Sequence, residues 1–352
     1  MMHAWLRWIP AAVVPALIGA GAFAVTAQAG AAPDLPPKTA EQLLTLVGQS
    51  TVRAFSGTFE QTSELGLPKL PSGGGTLSGP AAVLDLLTSS HTARVYVDGP
   101  TNLRIQVMDT LAERDVVRHG NDLWLYSSGT NSATHVTLPA EPATQDATVP
   151  GGVETPAQLA GLVLAAIDPS TDVAVGPDTT VAGRTAYDLV ITPRTSGTLV
   201  GSVSIAVDAA TGLPLSVVVQ ARGQDKAAFS LAFTSLTVGV PAAERFTFVP
   251  PPGAAVQQQV LPTLSAKHDV AGASTGPRPT VSGTGWDAVV ELSLGAVPSQ
   301  LTSSPLFGQL TQAVPGGRLL HTSLLNIFLT DDGRILAGSV PVERLQAVAA
   351  GR

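Results

Sequence analysis

Between His91 and Leu138 the chain keeps changing direction. "TARVYVD", "NLRIQVM", "RDVVRH", "DLWLYSS" and "ATHVTL" are each a few residues of period-two alternation, and turn residues separate them. Strands at roughly 8–12-residue spacing with turns between them can only be laid down as an antiparallel meander. The pattern resumes further on, in "RTAYDLVITP", "GSVSIAVDAATGLPLSVVVQAR", "AAFSLAFTSLTVG" and "ERFTFVPP". Within it "AVDAATGLPLSVVV" is a hairpin turning near Thr211-Gly212.

The alternation also shows which side chains share a face. Val203, Ile205 and Val207 line one side of their strand. Phe229, Leu231 and Phe233 do the same on theirs, as do Tyr187, Leu189 and Ile191. Val190 and Val218 sit on the opposite sides. A sheet apolar on both faces needs cover on both, and helices are few. "TAEQLLTLVGQST" is one, with Thr39 as cap and Gln42 three residues on. "AAVLDLLTSSH" is a brief one carrying Leu84 and Leu87, and residues 155–168 form another carrying Leu159, Leu162 and Leu164. The fold class expected is α+β: a curved antiparallel sheet, an open half-barrel, with a few helices on its concave side as plug or lid. A small C-terminal α+β appendage follows, with a strand at "WDAVVELSL", a helix near "PLFGQLTQAV", a hairpin turning at Asp331–Gly333 and a terminal helix begun by Pro341.

"VVRHGNDLWLYSSGTNSATHVTLP" (116–139) concentrates His119, Asp122, Trp124, Tyr126 and His135 and so raises the question of catalysis. Gly120 marks a tight turn, the loop being His119-Gly120 or Gly120-Asn121. In either case Trp124 and Tyr126 share a face with Val117, and Leu123 and Leu125 share the other with Val116. The two histidines have no metal-ligand spacing, so they read as surface or turn residues. No zinc-protease helix motif, phosphate loop or dinucleotide fingerprint occurs, and the one G-x-S-x-G match, at 272–276, lies in the polar linker and not at the strand-to-helix turn of a nucleophile elbow. "SGGGTLSG" lacks the Lys-Ser/Thr that phosphate binding requires, and "DPSTD" and "TDDG" lack full calcium-loop spacing. Glu60 and Glu64 have no evident acid/base partner. The expectation is a protein that is not an enzyme, with no catalytic residues, no metal and no cofactor.

Cysteine is absent, so neither disulfides nor thiolate ligands are available. Charged residues are only 13% of the 352, the net charge is −7, and no basic run occurs, which argues against nucleic acid as a partner. Arg7, the apolar stretch Ile9–Val25 and Ala27-Gln28-Ala29 read as an export signal cleaved after Ala29; an uncleaved N-terminal anchor is the alternative. The organisation expected is signal peptide 1–29, a main domain 30–258, a linker 259–279 and a small C-terminal domain 280–352.

"FSGTFEQTSELGLPKLP" (55–71), the stretch from Ser89 to Pro139, "TPAQLAGLVLAAIDPSTDVAVGPDTTVAGRTAYDLVITPR", "LVGSVSIAVDAATGLPLSVVVQARG" and "FTFVPPPGAAV" (246–256) together resemble the actinobacterial LolA-like proteins. Their superfamily includes the LolA and LolB lipoprotein carriers, LppX lipid-binding proteins and the RseB/MucB sensor domain. The resemblance covers about residues 39–258 and implies an exported, cell-envelope protein that holds acyl chains between sheet and lid. The partner it implies is a lipid or an acylated lipoprotein. The alternative it implies is an RseB-like envelope sensor that binds a membrane anti-sigma partner. Candidate lining residues are Val203, Ile205, Val207, Phe229, Leu231 and Phe233; Leu84, Leu87, Leu159, Leu162 and Leu164 are lid candidates.

Overall fold

The computed structural model describes residues 33–67, 90–108, 112–138, 155–260, 279–292 and 305–351. The brief helix expected at "AAVLDLLTSSH", with Leu84 and Leu87, lies outside them except for Ser90 and His91, as do the signal segment and most of the expected linker.

The main body is a sheet of thirteen strands, curved and not closed. Its first meander is β1 (Ala54–Ser63), β2 (His91–Asp98), β3 (Asn102–Met108), β4 (Glu113–His119), β5 (Asp122–Ser127) and β6 (Ser132–Thr137). Its second is β7 (Thr171–Val175), β8 (Thr179–Val181), β9 (Arg184–Pro193), β10 (Val200–Asp208), β11 (Pro214–Ala221) and β12 (Ala227–Val238). Antiparallel pairing of β1 with β12 joins the two meanders into one layer. A bulge between Thr58 and Phe59 interrupts that seam, and bulges bend the strand that carries them. At the far end β8 curls back to lie against β12.

Turn chemistry fixes these strands in place. Gly120 takes φ +60° in the two-residue turn Gly120-Asn121, closing His119 onto Asp122. The β8–β9 hairpin turns on Ala182 and Gly183, with φ of +51° and +74°. Both values are those of a type I′ turn.

One face of the sheet, here called inner, receives the helices. Helix α1 (Ala40–Gly48) begins with the expected capping box, Thr39 and Gln42 satisfying each other's backbone amides. Helix α2 (Pro156–Ala165) begins the same way with Thr155 and Gln158, and Pro156 occupies its first turn. α1 contacts β7 and β9; α2 lies on β11 and β12. Leu43, Leu159 and Val163 insert into the same apolar cluster as the strand residues beneath them. The fold is therefore the curved antiparallel α+β arrangement expected, with helices on its inner side.

Two strand expectations need correction. "ERFTFVPP" does not continue the antiparallel pattern: residues 243–246 form a 3-10 turn, and the chain then crosses the opposite, outer face. It ends in β13 (Ala255–Val260), which pairs with β6 in parallel. Three prolines after Val249 deny the amides a central strand would need. "WDAVVELSL" likewise opens as a 3-10 turn at Gly285–Asp287 before becoming strand.

A second sheet has six strands: β14 (Thr280–Ser282), β15 (Val289–Leu292), β16 (Gln312–Val314), β17 (Gly317–His321), β18 (Asn326–Thr330) and β19 (Ile335–Gly338). α3 (Pro305–Leu310) is shorter than the helix expected there, because Gln312–Val314 is drawn into the sheet. α4 (Val342–Ala349) covers one face through Leu345 and Val348. The second sheet is docked, not free. Trp286 Nε1 donates to Thr171 Oγ1 at 2.9 Å, and the Ser339 carbonyl accepts from Leu199 N and Thr198 Oγ1, both at 2.7 Å. Leu324 and Leu325 complete the main apolar cluster.

Candidate functional site

Antiparallel pairing puts directly opposed residues on the same face, so the registers allow each strand residue to be assigned. Ile205 faces Leu189 on one side and Val217 on the other; Val217 faces Leu231; Val203 connects through Val219 to Phe229. Phe233 faces Phe59 across the β1–β12 seam. Val207 belongs to the same row through Tyr187. All six lining candidates are thus inner-face residues of one continuous surface, and each is at most 2% exposed. Phe233 is held edge-on between Phe55 and Phe59, with centroids at 6.0 and 6.2 Å. Its ring also lies over Gly57, where a Cβ would come within 3.1 Å of it.

Of the lid candidates, Leu159 is buried on the sheet and Leu164 packs partly against it. Leu162 is half-buried and outside that cluster. Leu84 and Leu87 fall outside the described residues. Over β9–β12 the helix side chains fill the surface. A hollow of about 420 Å³ lies elsewhere, beside the exposed side of α1, lined by Lys38, Glu41, Gln42, Thr45, Leu46 and Gln49. Its lining is polar and it does not reach the six candidates.

The inner face continues past the helices. Val95, Ile105 and Val107 extend the main cluster across β2 and β3. Beyond them Val116, Leu123 and Val136 form a second, separate cluster with Leu125 and Leu138. The helices make their principal contacts with β7, β9, β11 and β12, away from this end.

Charge divides sharply between the two faces. On the first meander Glu60, Asp98, Glu113, Asp115 and Asp122 all point outward. On the second, Asp172, Asp188 and Asp208 do the same. These are all the carboxylates that the strands of the large sheet contain. The inner face holds two arginines, Arg114 and Arg118, both on β4 and either side of Val116. Sequence reasoning passed over them, although the signal was legible. In "RDVVRH" the arginines have the parity of Val116, and period two sends all three to the same side.

The aromatic and histidine residues of the 116–139 stretch belong to the outer face. His135 stacks on Trp124 with centroids 4.3 Å apart, and its Nε2 lies 2.7 Å from Asp122 Oδ1. Phe248, from the crossing segment, covers Trp124 and Tyr126 at 5.4 and 5.6 Å. Arg104 grips buried Asp115 through two nitrogens, at 3.1 and 2.6 Å, and donates a third bond to the Arg245 carbonyl. Burial pushes the Asp115 carboxyl up despite that guanidinium. Arg245 in turn lies 5.0 Å above the Tyr96 ring. These residues strap the 243–254 segment to the sheet. Among the described residues no group of three or more His, Cys, Asp or Glu could hold a metal ion, and no described helix is long and apolar enough to cross a membrane.

No known family model matches the chain, and no curated protein matches it. Several solved structures are similar. A MucA/MucB complex from Pseudomonas aeruginosa is 20% identical over 88% of this chain and 96% of that one, with a TM-score of 0.43. An uncharacterized conserved protein from Thermus thermophilus is 14% identical over 62% of this chain and 99% of that one, at 0.36. A LolA superfamily protein from Nitrosomonas europaea is 10% identical over 60% and 99%, at 0.26.

Proposed function

We propose that this chain is an exported carrier that holds the acyl chains of a lipid or lipoprotein against the inner face of its sheet. The observation that supports this best is that face itself. It carries two apolar clusters between β7 and β6, its strands bring no carboxylate to it, and its described helices sit on one end only. Val203, Ile205, Val207, Phe229, Leu231 and Phe233 would meet hydrocarbon when α2 lifts Leu159 and Leu164 away. At the β2–β6 end Val95, Ile105, Leu123 and Val136 are also buried, so hydrocarbon would have to displace what covers them there too. Each methylene transferred from water contributes about 0.8 kcal/mol, so ten give on the order of 8 kcal/mol before the cost of association.

The test is native mass spectrometry of the protein purified from its own host, with titration of the delipidated protein by a fluorescent fatty acid. Co-purified lipid and saturable uptake are expected. A clean apo mass with no uptake would overturn the reading.

A further inference from the structure

We propose that Arg118 anchors the head of the bound lipid, and that this lipid carries an anionic oxygen head, carboxylate or phosphate, beside its acyl chain. The proposal rests on the acyl-chain reading above and names the chemistry that reading leaves open.

Arg118 stands at a seam. It is paired with Leu103, which packs on the main cluster, and with Leu123, which belongs to the second. A guanidinium therefore lies at the junction of two apolar surfaces, on the face from which every strand carboxylate has been excluded. Its Nε donates to the Gly120 carbonyl at 3.1 Å, and that bond orients the fork. Among the described residues no carboxylate forms an ion pair with it. Burial, with no opposing carboxylate, lowers its pKa. Guanidinium nevertheless keeps its proton at any physiological pH, so the half-buried Arg118 carries its charge with part of its hydration removed. An isolated charge beside apolar surface costs free energy until an anion pairs with it. A planar fork offering parallel N–H groups matches the two oxygens of a carboxylate or phosphate. Apolar side chains flank the arginine on either side, and hydrocarbon leaving such a head would enter by displacing what covers them. Arg114 shares the face, roughly 13 Å along the strand.

The outer face sets the contrast. Arg104 and Arg184 each hold a buried aspartate in a two-nitrogen grip, so their charges are already met within the protein.

The experiment compares matched ligands on the full chain. Palmitate and its methyl ester differ only in the anionic head; lysophosphatidic acid and monoacylglycerol give the phosphate version of the same comparison. Wild type is expected to bind at least one anionic member roughly ten- to a hundredfold more tightly than its neutral partner, the size of a charge-assisted hydrogen-bond pair. Arg118→Met should abolish that preference while leaving neutral-ligand affinity within about threefold, and Arg118→Lys should restore part of it. Which head responds distinguishes a free fatty acid from a phospholipid. If Arg118→Met retains the preference, or if wild type shows none, the anchor assignment is wrong while acyl binding stands. Should neither neutral nor anionic ligands bind wild type, the acyl-chain reading itself fails. If Arg118→Met does not fold, Arg118→Gln carries the same test, and a wild type without the preference overturns the anchor by itself.

Discussion

Asp188 and Asp208 share the outer face of the second meander, yet their environments drive them in opposite directions. Asp208 is 1% exposed; burial alone would raise its pKa, but Arg184 and Thr211 reverse this and hold it below the usual carboxylate range. Asp188 is also largely buried and has only the Ser204 hydroxyl to offset that, so its pKa rises to about 6. Gly176, just past the end of β7, packs closely on it: a Cβ there would lie 2.7 Å from Asp188 Oδ2. A carboxyl with a raised native pKa binds its proton more tightly folded than unfolded. Stability therefore falls as pH climbs from about 4 to about 6, and the penalty is complete above that. Asp188→Asn should remove it. After discounting for partial solvent screening we expect a gain of about 1 kcal/mol at pH 8 and none at pH 3.5. Urea midpoints of the two proteins at both pH values would check this; equal gains at both would contradict it.

At the scale of elements, the chain holds α1 to the sheet through the β10–β11 turn. Gly212 has φ +73°, and a Cβ there would lie 2.3 Å from the Leu46 carbonyl oxygen. Gly212→Ala combines left-handed strain with a push against the last turns of α1. We expect more than about 2 kcal/mol of destabilisation by urea unfolding, against under about 1 kcal/mol for Gly183→Ala, where φ is also positive but nothing lies within 4 Å. This turn was legible in sequence, and so were α1 with its capping box, the Gly120 hairpin and the meander. Each is encoded by contiguous residues, and a period or a cap can be read from contiguous residues. The crossing segment was not legible. Its register against Trp124, Tyr126 and Arg104 depends on contacts more than a hundred residues away in sequence. Face parity was readable within the regular stretches of β9, β10 and β12, so the residues that share a face there could be grouped, though not across the bulges. Their coverage by Leu159 could not, because it depends on where α2 lands.

Across the whole molecule, the two sheets share apolar contacts as well as hydrogen bonds. Trp286 belongs to the second sheet's segment but is 9% exposed in the main cluster, beside Leu324 and Leu325. Asp287 accepts from Thr195 Oγ1 at 3.1 and 3.2 Å, close by. The two sheets should therefore melt as one cooperative unit: tryptophan fluorescence and far-ultraviolet dichroism should give coincident transitions, and two separate steps would refute the coupling. The parallel pairing of β13 with β6 carries a different consequence, for the order of assembly. β6 and β12 are separated in the sheet by five strands, and the crossing segment starts from β12. Pairing β13 with β6 is entropically cheapest once the two meanders have zipped together at β1–β12. Forming it closes a loop whose ends are already fixed by everything before it. The ribbon "AVQQQV" is thus expected to join its sheet late, and because it is an edge strand paired only with β6, its loss would remove no other pairing of that sheet.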